Sequence, residues 1–289
     1  MNAMRIVADR IDRAGWQAGF EERVLAGYRD AGCSEPLARA LLERAVKGID
    51  DWTLATDGTG WIAVAVEPDN GAAVGRIHDL TTVPAGREWA ERWCAEHGAR
   101  RVEVRLAGGA GAEAFPGYLV RGQNRMRAVA ERPGLPSELA VRRLTEEEFP
   151  AWYAAEEAAY IADIVRAGAL TAEQARAKSD EDFARYLPQG YRTPGHAFYA
   201  LEADGRVVGT GHLNHGFLPG VTFGFALDVY EEHRGKGYGR AAMAVGEWAT
   251  RQAGDEALMF NVFGGNEVAM GLYDSTGFGV LDEFRSLPL

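Results

Sequence analysis

The segment Arg234-Gly235-Lys236-Gly237-Tyr238-Gly239-Arg240 packs three glycines and three cations into seven residues. Glycines let a backbone turn tightly and aim consecutive N–H groups into one concavity. A helical pattern follows, from about Gly239 to Gln252, and a strand-like run, Thr222 to Val229, precedes it. The free N–H groups and positive dipole end of that helix add to the concavity. Together they make an anion site suited to a pyrophosphate. Alone, the pattern Arg/Gln-x-x-Gly-x-Gly is weak, with roughly half an occurrence expected by chance at this composition. A surface turn with capping glycines is the plain alternative; the strand before and the helix after argue for the anion site.

A second run is more specific. It reads Asn261-Val262-Phe263-Gly264-Gly265-Asn266-Glu267-Val268-Ala269-Met270-Gly271-Leu272-Tyr273-Asp274-Ser275-Thr276-Gly277-Phe278. With the glycine loop, in this order and spacing, residues Leu139 to Leu289 resemble the GNAT superfamily of N-acetyltransferases. The resemblance implies a mixed, twisted sheet that splays open where acyl-CoA enters. It implies that the backbone of Leu227-Asp228-Val229 pairs with pantetheine like an added strand. It implies that Arg234, Gly235, Lys236, Gly237, Tyr238, Gly239 and Arg240 hold the pyrophosphate. Asn266 resembles the side chain that hydrogen-bonds pantetheine, and Asn261, which opens the signature, is grouped with the cofactor-binding residues.

Tyr273 resembles the tyrosine that protonates the leaving thiolate; a phenol of pKa about 10 is protonated at neutral pH, as a general acid must be. Asp228 stands where related sequences often carry Glu and is the expected general base, with a water relay suited to its shorter arm. Core packing is the plain alternative for Tyr273, and a solvated carboxylate for Asp228. His212, Asn214 and His215 sit at the end of the preceding strand, and alternation puts His212 and Asn214 on one face and His215 on the other. They rank below Asp228.

The elements that must carry these residues are legible. Thr145 to Glu148 is a capping box ahead of a helix to about Arg166, and Thr171 with Gln174 caps another to about Tyr186. Strands are expected at Ala197 to Glu202, Val207 to Leu213, Thr222 to Val229, Ala257 to Val262 and Gly279 to Ser286, with a short helix from Glu267 to Ser275. Asp204-Gly205 reads as a hairpin turn. The connector Glu131-Arg132-Pro133-Gly134-Leu135-Pro136-Ser137 suggests two domains, 1–132 and 133–289. The fold class expected is therefore α/β, with two GNAT-like domains, each a mixed twisted sheet flanked by helices.

The first half repeats the element order of the second. Trp61 matches Val207 and Val83 matches Val229 at an offset of 146, whereas Gly98 matches Gly254 at 156. About ten residues are thus missing between Val83 and Gly98, and they are those of the glycine loop. Two unrelated α/β segments are the alternative to duplication. Strands Trp61 to Glu67, Val74 to Val83 and Arg101 to Leu106 and a helix around Trp89 to Glu96 follow from the match. Thr82 stands where Asp228 stands, Ala110 where Asn266 stands, and Tyr118 mirrors Tyr273. This degenerate half is not expected to bind CoA tightly; its expected job is support, or one wall of an acceptor pocket.

The 289 residues carry a net charge of −11, which argues against a nucleic-acid binder. Residues 1–136 account for −1 and residues 137–289 for −10. No apolar run reaches the roughly 18–20 residues of a membrane span, and Met1 to Arg10 lacks a signal-like apolar core. Cys33 and Cys94, the two cysteines, have no metal-ligand spacing. A cytoplasmic enzyme without a metal is expected. Both cysteines lie in the first half, which excludes a cysteine acyl-enzyme in the second; with the resemblance, the expected reaction is direct attack of an amine on acetyl-CoA in a ternary complex. The expected acceptor is a primary amine of a small cationic molecule or of a peptide. Tandem members of the family include mycothiol synthases, which makes a thiol-sugar amine one candidate. The alternative function is a CoA-binding regulatory or scaffolding module. Oligomeric state is not encoded legibly.

Overall fold

A computed structural model of the chain describes residues 12–69, 71–82, 84–132, 134–137, 139–166, 168 and 170–289. The opening residues Met1 to Arg10, Val83 and Pro133, invoked above, lie outside them. The chain divides into two compact units, Met1–Gln123 with Val280–Leu289, and Asn124–Gly279. The Pro/Gly connector at 131–137 falls inside the second unit, and the division runs through a strand, β5 (Leu119–Ala128).

In the first unit, α1 (Arg13–Asp30) starts where the Asp12 carboxylate accepts from the Gly15 N–H at 3.0 Å. It is followed by α2 (Glu35–Ala45), with a proline in its first turn. Strands β1 (Thr53–Thr56), β2 (Trp61–Asp69), β3 (Ala72–Leu80) and β4 (Arg101–Ala107) are joined by a turn, a hairpin and α3 (Ala85–Glu96). β1–β2 and β2–β3 are antiparallel and β3–β4 is parallel, with α3 as the crossover. Alternation sorts β2: Ile62 and Val64 join the core with Ala90 and Cys94 of α3, whereas Ala63 and Ala65 pack with Trp16 and Phe20 of α1. The last strand, β11 (Gly279–Pro288), runs antiparallel to β4. Its Asp282 is fully buried and accepts from Tyr28 at 3.0 Å and from the Arg105 Nε at 2.8 Å.

In the second unit, β6 (Ala140–Arg143) leads to α4 (Phe149–Arg166) and α5 (Ala172–Tyr186). Both expected capping boxes form. The Thr145 N–H donates to Glu148 at 2.8 Å, and Thr171 and Gln174 exchange bonds in the same way. Then come β7 (His196–Ala203), β8 (Arg206–Leu218), β9 (Val221–Val229), α6 (Tyr238–Gln252), β10 (Ala257–Phe263) and α7 (Glu267–Ser275). The hairpin at Asp204-Gly205 has both residues at positive φ, 51° and 72°, as a tight hairpin turn requires. β6 to β9 are antiparallel neighbours in chain order, and β10 joins β9 in parallel.

Each unit has one parallel pair, and each pair is short. β3 and β4 pair from Val74↔Arg101 to Ile77↔Val104, and β9 and β10 from Val221↔Ala257 to Gly224↔Phe260. Both stop after four residue pairs, at corresponding positions. In the second unit a close contact marks the stop. A Cβ on Gly224 would lie 2.0 Å from the Phe260 ring, so only glycine lets that ring sit against the strand. Gly224→Ala is expected to destabilise the protein by about 1–3 kcal/mol through this overlap. Urea unfolding measures it, and a midpoint unchanged from the parent contradicts the assignment.

Candidate active site

Beyond Gly224 and Phe260, residues 225–229 of β9 keep only β8 as a strand neighbour. Their other backbone edge faces the gap left by β10. Within this stretch Leu227 and Val229 turn inward and pack with Ala241, Ala242 and Val245 of α6. Asp228, between them, points the other way and is 52% exposed. Gly209 on β8 permits this close run, because a Cβ there would meet the Asp228 carbonyl.

The chain then passes through a 3-10 turn, Glu231–His233, into the glycine loop. Gly235 and Gly237 have φ of 76° and 89°, and nothing lies within 4 Å of where their side chains would stand. Gly237 is the N-cap of α6. The two glycines turn the backbone there, beside the free N–H groups of the first helical turn. Arg234, Lys236 and Arg240 are all exposed around it, and Tyr238 is half-buried. The Arg234 Nε donates to the Val229 carbonyl at 2.9 Å, and its second nitrogen lies 3.4 Å from Asp228. Lys236 donates to the Glu232 carbonyl at 3.2 Å. Gly239 packs near Leu272 of α7.

On α7, Tyr273 stacks on Phe260 with ring centroids 5.5 Å apart and touches Phe278 at 5.7 Å. Burial pushes its hydroxyl up to about 12. Asn266 is the N-cap of α7, its Oδ1 accepting from the Ala269 N–H at 3.1 Å, which leaves the side-chain N–H donors for another partner. The Asn261 amide donates to Asn124 at 3.0 Å.

One residue of this region is not legible as functional in the sequence. Glu156, on α4, is half-buried, and its carboxyl is pushed up to about 7, first by burial and then by repulsion from Asp228 and Asp163. Those two carboxylates, Glu156 and the phenol of Tyr230 feel one another. Tyr160, one turn along α4, donates to Asp182 at 2.8 Å and approaches Phe263 of β10 at 6.1 Å. A Glu-x6-Asp spacing on an amphipathic helix was the available signal, and it is indistinguishable from a solvated helix face until β9 is placed opposite.

The histidines separate as alternation requires. His212 is buried, stacked between Phe198 and Phe225, with its Nε2 2.7 Å from the Nδ1 of His196. Burial lowers both imidazoles, His196 to about 4, so the pair is neutral. His215 instead contacts the Thr222 hydroxyl at 2.8 Å, and Thr222 donates to Asp255 at 2.6 Å. Among the described residues no group of His, Cys, Asp or Glu is arranged to hold a metal, and no helix is long and apolar enough to cross a membrane.

In the first unit the corresponding positions are spent on structure. Thr82 donates to Asp57 at 2.6 Å, and that carboxylate also anchors the Thr59 and Gly60 N–H groups of the turn. Tyr118 bonds Glu91 at 3.1 Å. The chain enters α3 at Ala85 with no glycine concavity before it.

Comparison with known proteins gives the family and the fold. The profile described as the Acetyltransferase (GNAT) family matches residues 141–278. The chain is 32% identical over 146 residues to the uncharacterized N-acetyltransferase YycN of Bacillus subtilis, covering 50% of this chain and 94% of that protein. It is 27% identical over 279 residues to a mycothiol acetyltransferase of Pseudarthrobacter chlorophenolicus, covering 92% of this chain and 80% of the relative. The fold of a GCN5-related N-acetyltransferase from Sphaerobacter thermophilus superposes with a TM-score of 0.55 at 17% identity, covering 99% and 96% of the two chains.

The electrostatics of the opening can be tested directly. Asp228→Asn removes a negative neighbour, so the Glu156 carboxyl is expected to titrate below about 7 in the variant. Carbon-13 NMR of the glutamate side chains reads this. An unmoved or raised midpoint shows that the two carboxylates do not interact.

Proposed function

The chain belongs to the GNAT family of acetyltransferases and is an acetyltransferase enzyme, and we propose that its second unit moves the acetyl group of acetyl-CoA onto a primary amine by direct attack. The observation that carries the reading is the parting of β9 and β10 beside the glycine concavity. The free edge of residues 225–229 suits the extended, amide-bearing pantetheine arm, and the open N–H groups and cations at 234–240 suit its pyrophosphate. Asn266, with its unspent donors, caps α7, and Asn261 is on β10 ahead of it.

The acceptor is a small cationic amine, or an exposed lysine or N-terminal amine. Asp228, Glu156 and Asp163 attract an ammonium group, an effect that salt weakens. The same carboxylates must then take its proton. Glu156 sits near the pKa at which a base is both available and strong enough at neutral pH, while Asp228 holds the ammonium and acts through water. The neutral amine adds to the thioester carbonyl, the C–S bond breaks, and Tyr273 delivers its proton to the departing sulfur. A phenol pushed up to about 12 keeps that proton until the thiolate forms.

Free-thiol release from acetyl-CoA across a panel of amines tests this reading. Release with cationic amines, at a KM that rises with ionic strength, is expected; release with none rejects it. Tyr273→Phe preserves the ring stack and removes the acid, so turnover should fall about 10²–10⁴-fold with CoA affinity little changed. Turnover within about twofold of the parent makes Tyr273 a packing residue. Gly237→Val puts a β-branched side chain at φ 89° and into the concavity. CoA binding by calorimetry should weaken by about 2–3 kcal/mol, the worth of a few charge-assisted hydrogen bonds; equal affinity in a folded variant removes the loop from the site.

A further inference from the structure

The parallel pair of the first unit opens at the same place as that of the second, and there it encloses a cavity. β3 and β4 cease to pair after Ile77 and Val104. The cavity beyond has a volume of about 320 Å³ and is roofed by Phe20, Val24 and Tyr28 of α1 and by the end of α2. That is near the lower end of the roughly 300–1,000 Å³ usual for small-molecule sites. It needs no part of the glycine loop that this unit lacks.

Its chemistry is the reverse of the second unit's opening. Arg44, Lys47, Arg76 and Arg105 reach its wall, against Glu67 and Glu103. Both carboxylates are already engaged by Arg76, at 2.8 and 2.6 Å, and Arg105 is tied to Asp282. Lys47, on the rim, makes no ion pair with the described residues. Apolar surface comes from Phe20, Val24, Ile77 and Phe284. At the floor, the His78 ring stacks on Trp52 at 3.7 Å, and its Nε2 is buried without a hydrogen-bond partner, 3.8 Å from the nearest Glu67 oxygen. Burial lowers this imidazole to about 3, so it is a neutral polar group with an unmet bond. Buried polar atoms are seldom left so.

We propose that this cavity is a binding site for a small organic anion, a flat apolar body carrying one carboxylate or phosphate. The anionic head meets Lys47 at the rim, and the body lies among the apolar residues. The site is separate from acetyl transfer and stands whether or not the second unit acts as proposed.

Calorimetric titration of the full chain with benzoate and with phenyl phosphate tests it, with benzylamine as the charge-reversed control. One or both anions are expected to bind one per chain, the tighter of the two identifying the head group, while benzylamine gives no heat. Lys47→Glu, on the exposed rim, and Val24→Trp, which fills the cavity, should each weaken binding by about tenfold or more. Saturating CoA should leave the anion bound. Heat from neither anion, full affinity in the folded Lys47→Glu variant, or displacement by CoA overturns the proposal.

Discussion

The Phe260 ring rests against Gly224, and past that contact β9 and β10 go separate ways. Backbone amides in a sheet interior are ordinarily consumed by their neighbours. Here a central strand keeps one edge unspent for five residues, and what lies on either side of it follows from the chain's connectivity. A parallel pair needs a crossover helix, so α6 must start near the C-terminal end of β9 and bring its N–H groups there. The same crossover puts α7 after β10, and Tyr273 reaches the gap through its stack on Phe260. The glycine–aromatic contact thus marks where the two strands part, with the start of α6 and the ring of Tyr273 on either side.

The opening has two electrostatic characters. Its loop end is built from N–H dipoles and arginine and lysine side chains, and its α4 end from carboxylates, with Asp228 pushing up those of Glu156 and Asp163. Arg234 stands where they meet, bonded to the Val229 carbonyl and beside Asp228. For the reaction proposed above, such a division would sort a polyanionic donor to one end and a cationic acceptor to the other before any specific contact is made.

The sequence legibility followed locality. Glycines at positive φ, capping boxes and the Asp-Gly hairpin depend on a few adjacent residues, and they appear where the sequence puts them. Strand ends are less legible: β8 runs on past the expected Leu213 to Leu218, and β3 stops at Leu80, earlier than expected, because register with a neighbour and not composition sets where a strand ends. The boundary of the compact units could not be read from the Pro/Gly connector, since β11 returns to β4 from far along the chain. Glu156 escaped for the same reason. Its first acidic neighbour, Asp228, comes from β9, some seventy residues away, and a lone helical glutamate does not announce it.

The buried Asp282 has a consequence for how the molecule is made. Its partner Arg105 precedes it by 177 residues, and β4 has no antiparallel neighbour in the first unit until β11 arrives. At a synthesis rate of about 5–20 residues per second, that is on the order of 10–35 s during which the second unit is being completed while the first waits. Through that interval the nascent β4 shows an open edge, with Arg105 among its residues and no Asp282 yet to receive it. An unpaired edge invites wrong partners, and an arginine on it makes a poor one for apolar strands. The arginine that ends in an ion pair with a buried aspartate would thus disfavour such partners on the growing chain.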